Sequence, residues 1–432
     1  MKTLIGVCMA AMALIGNGCM GNTKHAESVS GGTTDSLYLL VGSYARTQEE
    51  GIRVYVFNQE TGKGTFRSGL SGISNPSFLT PSADGSRVYA VGEDEGISST
   101  ANALSFDREK GMLSFINSQP THGGAPCNIT LSPKEDYVLT ANYMGGNVTV
   151  FPLGSRGELL EGDTLVFTGS GPDKERQSQP HLHCVLFTPD GRLLLANDLG
   201  TDRIHAFPVS EKKGEELLDR AASYDVQLAP GAGPRHTCFA PDGKHAYLIT
   251  ELSGDVIVLS YDEMKLDTIQ TIKADTLDAR GSADIHISPD GNFVYASNRL
   301  KGDGIAIFSV NSEDGTLEKA GYQPTGIHPR NFAITPNGKY LLVACRDTNE
   351  IQIFARDAET GLLQDTGEKI EMSKPVCLKF VPIKEACHFS ETEFDKPLFY
   401  HIISGFTSRC LFTSCLSSGK PVYHLSRCQR AK

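Results

Sequence analysis

Five short clusters in this chain carry side chains able to do chemistry: His181-Leu-His183, Gly233-Pro-Arg235-His236, Thr250-Glu251-Leu252, Ser297-Asn-Arg299 and His328-Pro-Arg330. An imidazole or carboxylate can take a proton from water or from a carbon acid. Guanidinium groups can hold an anionic substrate and the oxyanion that develops during acyl transfer. The chain has no Gly-x-Ser-x-Gly elbow, phosphate-cradling glycine loop or dinucleotide fingerprint, so covalent serine catalysis has no support. If the His181–His183 segment is extended, both imidazoles point the same way. They would make half a metal site, but no third histidine or clear carboxylate joins them, and no metal or other cofactor is expected.

These clusters sit at corresponding places in a repeat. Apolar segments run into the turns Pro81-Ser-Ala-Asp-Gly85, Pro133-Lys-Glu-Asp136, Pro189-Asp-Gly191, Pro241-Asp-Gly243, Pro289-Asp-Gly291 and Pro336-Asn-Gly338. The turn prolines are 52, 56, 52, 48 and 47 residues apart. A seventh copy, Lys374 to Val381, arrives where the next is due but lacks its turn. A period near this length signals a propeller or an array. Within one repeat, Ala283–Ser288 reads as a strand and Pro289-Asp-Gly291 as a tight turn. Phe293–Ala296, Ile305–Val310 and a segment after Leu317 read as three further strands. Four antiparallel strands per repeat describe a propeller blade. The last first-strand, Val376–Val381, has no blade after it, and Leu37–Tyr44 looks like a second strand with no first strand before it. Pairing the two closes the ring and removes an open edge. The expected fold is all-β, a seven-bladed propeller over residues 36–382 whose C-terminal strand completes the N-terminal blade.

First strands of a propeller line its central channel, and the loops that enter them open on one face with the loops that leave the second strands. The position six before each turn proline reads Asn75, Cys127, His183, Arg235, Ala283, Arg330, and the next reads Pro76, Asn128, Cys184, His236, Asp284, Asn331. Eight residues after each turn glycine or its equivalent stand Glu93, Met144, Leu199, Glu251, Arg299 and Arg346. The columns gather His, Arg and Glu from several blades at one opening, as a reactive site or as a solvated rim.

Bulk properties limit the partners. A net charge of −11 argues against a nucleic-acid surface, and the lack of Trp argues against a Trp-Asp interaction array. Met1-Lys2-Thr3, an apolar run to Ile15 and Gly16-Asn-Gly-Cys19 suggest an export signal over residues 1–19, of lipoprotein type with Cys19 as the lipidated residue. Export to the periplasm or anchoring at a membrane through Cys19 follows as the expectation. Residues 20–35 read as a flexible tether rich in Gly, Ser and Thr. Five of the eleven cysteines, Cys127, Cys184, Cys238, Cys345 and Cys377, recur at similar places in the repeat and read as buried strand thiols. Residues 383–432 carry Cys387, Cys410, Cys415 and Cys428 without zinc-site spacing, and read as an atypical extension.

Gln179-Pro-His-Leu-His183, Gly233-Pro-Arg-His236, Thr250-Glu-Leu252, Ser288-Pro-Asp-Gly291 with Ser297-Asn-Arg299, and His328-Pro-Arg-Asn-Phe332 resemble the seven-bladed propeller lactonase family over roughly residues 36–382. That family includes bacterial 6-phosphogluconolactonases and fungal enzymes that cyclise carboxymuconate. The resemblance implies hydrolysis of 6-phospho-glucono-1,5-lactone to 6-phosphogluconate, a pentose-phosphate-type reaction, without an obligatory metal. It also implies His183, Arg235, Glu251 and Arg299 as catalytic residues, with His181, His236 and Arg330 beside them binding substrate. On this reading Glu251 or His183 is the base, Arg235 and Arg299 hold the oxyanion and Arg330 holds the phosphate. The alternatives are an exported enzyme acting on, or forming, the lactone of another acid, and a non-catalytic surface propeller.

Overall fold

A computed structural model describes residues 35–210 and 216–384, together with the two-residue strands Leu416–Ser417 and Lys420–Pro421. The export signal with Cys19, residues 20–34 and the tail cysteines lie outside the described residues. Seven four-stranded antiparallel sheets form the blades. Blade 1 is made of Pro375–Pro382, Ser36–Ser43, Ile52–Asn58 and Lys63–Leu70, in that spatial order. The strand Pro375–Pro382 therefore closes the ring, pairing with Ser36–Ser43 from Leu37↔Pro382 to Ser43↔Pro375. Blades 2 to 7 follow in chain order, each with its first strand innermost.

The turn between first and second strands is built the same way in most blades. A hydroxyl residue precedes it: Ser288 Oγ donates to Asp290 at 2.5 Å and accepts from the Phe293 N–H at 3.0 Å. The pattern recurs with Thr188 and Asp190, Thr335 and Asn337, Ser132 and Asp136, and Ser82 and Asp84. The side chains thus satisfy backbone donors that the turn would leave unpaired. Blade 2 shows that the turn begins at Ser82-Ala-Asp-Gly85, with Ala83 where the other blades have proline. Pro81 is the last residue of the preceding strand, not the turn proline.

The blades pack face to face through apolar strands. Val88, Ala90 and Leu104 of blade 2 meet Leu40, Val54 and Cys377 of blade 1 in one buried cluster, and similar clusters join the other neighbours. Around the channel, side chains of the first strands stitch several blades to the next. Asn128 accepts from the Val185 N–H at 3.1 Å, Asp284 from Phe332 at 3.2 Å, Asn331 from Leu378 at 2.8 Å and Cys377 Sγ from Leu79 at 3.3 Å. Cys127, Cys184, Cys345 and Cys377 are buried free thiols.

Candidate active site

A repeated backbone device aims the site residues. Asn75, Ala125, Gly233, His328 and Lys374 each stand immediately before a proline, at φ between 42° and 65°. This left-handed conformation is costly for residues other than glycine and collects at functional positions. The first strand then carries a bulge. In blade 3 the pairing passes from Pro126 to Asn128, in blade 4 from Leu182 to Cys184, in blade 5 from Pro234 to His236 and in blade 7 from Pro329 to Asn331. In blade 1 it passes from Pro375 to Cys377. The residues skipped are Cys127, His183, Arg235, Arg330 and Val376, and a skipped residue is free to turn out of the sheet. All five line one narrow cavity at the channel mouth, with Ser77, Phe78, Glu93, His236 and Asn331.

Four of the seven site residues expected from sequence line this cavity: His183, Arg235, His236 and Arg330. Glu251 and Arg299 stand directly behind Arg235. His181 Nδ1 lies 2.8 Å from the carbonyl oxygen of Tyr143, and its ring stacks on that of Tyr143 with centroids 4.3 Å apart. The same tyrosine meets His183 edge-on at 5.6 Å, so both imidazoles do lie against one neighbour. The blade 2 members of the two columns are corrected from Asn75 and Pro76 to Ser77 and Phe78. Taking Pro81 as the turn proline displaced them by two residues, and the Ser-x-Asp-Gly pattern of Ser82 to Gly85 would have given the register. Glu93, reached through the turn glycine, stands in the cavity as aligned.

The electrostatics divide the carboxylates. Glu251 receives Arg235 Nε at 2.8 Å, Arg176 Nη2 at 2.6 Å and Arg299 Nη2 at 3.3 Å. Burial opposes its ionisation, yet Arg299, Arg235 and Arg176 together hold its carboxyl well below the usual carboxylate range. Arg299 is itself committed, donating to the carbonyl oxygens of Gly281 and Ser282 and to His328 Nε2, and burial, against the pull of Glu251, brings it down to about 9. Sequence reasoning missed Arg176, whose loop crosses to blade 6 through an Asp173–Arg280 ion pair. Glu93 instead accepts hydroxyl donors, Ser77 Oγ and Tyr44 Oη, the latter at 3.1 Å from each of its oxygens.

Arg235 is 1% exposed and is anchored by Glu251 and by the Ala283 carbonyl oxygen at 2.5 Å. Arg330 faces the cavity with its guanidinium 5.5 Å from the Tyr44 ring centroid. His183 is buried with Nδ1 unpartnered among the described residues. Burial and the guanidinium charges of Arg235 and Arg330 keep its imidazole well below the usual histidine range, hence neutral at pH 7. His236 is lowered to about 4 by burial and Arg235, against the opposing influence of Asp284. The cavity therefore offers neutral imidazoles able to take a proton and guanidinium donors able to hold an oxyanion. Among the described residues no group of three or more His, Cys, Asp or Glu converges as a metal site.

The family model described as lactonase, 7-bladed beta-propeller matches residues 38–380. A 6-phosphogluconolactonase of Formosa agariphila is 37% identical over 339 residues, covering 77% of this chain and 96% of the relative. The solved structure of a candidate 6-phosphogluconolactonase from Bacteroides fragilis is 54% identical, with a TM-score of 0.77, covering 80% of this chain and 98% of that one. The periplasmic gluconolactonase of Pseudomonas aeruginosa is 31% identical with a TM-score of 0.76, over 81% of this chain and all of the other.

Proposed function

The chain belongs to the lactonase family of seven-bladed β-propellers, and from that membership we propose that the channel-mouth cavity hydrolyses the 1,5-lactone of an aldonic acid, 6-phospho-glucono-1,5-lactone foremost. The observation that carries this reading is the convergence of the bulged residues: His183, Arg235 and Arg330 are turned into one cavity, with His236 beside them. Hydrolysis of a lactone needs an activated water and a cradle for the carbonyl oxygen. A neutral imidazole supplies the first. Arg235 and Arg330 supply the second, in a buried setting where charge stabilisation is strong. Glu251, held by three guanidinium groups, serves to fix Arg235 and Arg299 and does not act as the base; Arg299 stands behind Arg235 as part of that support. Arg176, the most exposed of the three guanidinium groups at 38% of its side chain, is our candidate for the substrate phosphate.

A second substrate reading is favoured by the N-terminal sequence and by the likeness to a periplasmic gluconolactonase: an exported enzyme acting on the unphosphorylated lactone. Turnover of both lactones by the purified propeller separates the two. On the first reading Arg176→Ala raises KM for the phosphorylated lactone by a larger factor than for the other. Preference for the unphosphorylated lactone, with Arg176→Ala acting equally on both, establishes the second. Labelling of the intact cell's chain with a lipid precursor, lost in Cys19→Ser, tests anchoring.

A further inference from the structure

Within this lactonase reading, on which the inference rests, we propose that His236 is the group that activates water and that Asp284 is its positioning partner. A base in this cavity needs a lone pair facing the substrate and a fixed tautomer. Both oxygens of Glu251 are taken by guanidinium groups and both oxygens of Glu93 by hydroxyls. His236 is different. Its Nδ1 lies 2.8 Å from Asp284 Oδ1, and a carboxylate can only accept there, so Nδ1 carries the proton. Its Nε2 is then the acceptor; the cavity is lined by this residue, and Nε2 meets Arg235 Nη1 at a long 3.4 Å.

Asp284 is held rigidly for this task. Its other oxygen accepts from His286 Nε2 at 3.0 Å, from Asn331 Nδ2 and from the Phe332 N–H at 3.2 Å, so blades 6 and 7 both fix it. An oriented carboxylate behind an imidazole sets the tautomer and stabilises the imidazolium that forms. His183 has no carboxylate partner, and its ring lies edge-on to His236 at 5.2 Å.

The step balances as follows. Water gives one proton to His236 Nε2 while its oxygen bonds to the lactone carbonyl carbon. The carbonyl π pair moves to oxygen, facing Arg330 and Arg235. On collapse the carbon–ring-oxygen bond breaks, its electron pair goes to the ring oxygen, and His236 Nε2 returns the proton there. The product is the open hydroxy acid, which ionises to solvent.

The groups facing His236 are Asp284 from blade 6, itself in contact with His286, Arg235 from its own strand, His183 from blade 4 and Arg330 from blade 7. The Phe78 ring also faces it from blade 2, with Lys379 of blade 1 seated over that ring. Asp284 is the carboxylate that favours the imidazolium. The test is the pH profile of lactone turnover for wild type, His236→Gln, Asp284→Asn and Asp284→Glu, with far-UV circular dichroism to confirm folding. The expected results are a loss in kcat of about 10²–10⁴-fold for His236→Gln at little changed KM. Asp284→Asn loses rate and shifts the acid limb to lower pH, and Asp284→Glu restores much of the rate. Because Asp284 also stitches two blades, His236→Ala with added imidazole decides the matter if Asp284→Asn does not fold: imidazole raises its rate. A His236→Gln protein with wild-type kcat, or an Asp284→Asn protein whose acid limb does not move, overturns the dyad while leaving the lactonase reading intact. A wild-type protein that turns over no lactone removes that reading itself, and the dyad with it.

Discussion

At the residue scale, the site separates charges that hold the structure from charges that meet a substrate. Arg330 has Tyr44 beneath it and the cavity before it, so Arg330→Ala is expected to lower kcat about 10²–10³-fold, with Arg330→Lys recovering part of it. Steady-state turnover of the lactone measures both. Glu251→Gln removes the counter-charge of three guanidinium groups. Breaking a buried pair in this way costs on the order of 3–5 kcal/mol, read by urea unfolding at pH 7. The pH dependence has a definite sign. His183, His236 and His328 are all depressed, the last to about 3, chiefly by burial. Their contribution to stability is complete above the unfolded histidine value of about 6.5 and is lost as pH falls toward the folded values. Glu251 and Asp284, depressed in the same direction, add stability that is complete above about 4 and is lost at still lower pH. The urea midpoint is therefore expected to fall steadily from pH 7 to pH 4; an unchanged midpoint over that range contradicts the burial of neutral imidazoles.

At the element scale, the working unit is the first strand with its entry turn and bulge. Gly233 sits at φ 65° immediately before Pro234, donates its N–H to Asp202 at 2.8 Å, and precedes Arg235 by two residues. Gly233→Ala forces a side chain into the left-handed region and brings its Cβ within 2.6 Å of Leu252. The expected cost is about 1–2 kcal/mol in stability, with a fall in kcat larger than the stability loss explains, because Arg235 is re-aimed. This element also shows what a sequence reveals and what it hides. The turns Pro189-Asp-Gly and Pro289-Asp-Gly carry their own chemistry, so blade register was legible wherever they occur. Blade 2 misled because Pro81 sits two residues before its counterpart, and Ser77 and Phe78 were missed with it. The bulges were not legible at all: a skipped residue looks like any other member of an apolar strand, and only pairing shows that Cys127, His183, Arg235, Arg330 and Val376 leave the sheet. The split between Glu251, held by Arg235 of its own blade, Arg299 of blade 6 and Arg176 of a long loop, and Glu93, held by hydroxyls, depends on contacts 16 to 75 residues apart, which no local pattern encodes.

At the scale of the whole molecule, ring closure was visible in the sequence as two incomplete repeats that need each other, Leu37–Tyr44 and Val376–Val381. The consequence is sharp. Removing residues 375–432 deletes the innermost strand of blade 1 and exposes the edge of Ser36–Ser43, together with the apolar faces that meet Cys377, Leu378 and Val381. Such a chain is expected to aggregate on expression, whereas one ending at residue 384 keeps the ring and its cooperative melting transition. The ring in turn is what brings seven entry loops to one mouth, so catalysis is a property of the closed propeller and not of any single blade. The most direct test of the central claim is turnover of 6-phospho-glucono-1,5-lactone and glucono-1,5-lactone by the purified propeller beside its Arg330→Ala and His236→Gln variants. The account expects rapid hydrolysis of at least one lactone by the wild type and a loss of at least about 10²-fold in each folded variant. Hydrolysis of both lactones at the uncatalysed rate, or full activity in both variants, contradicts it.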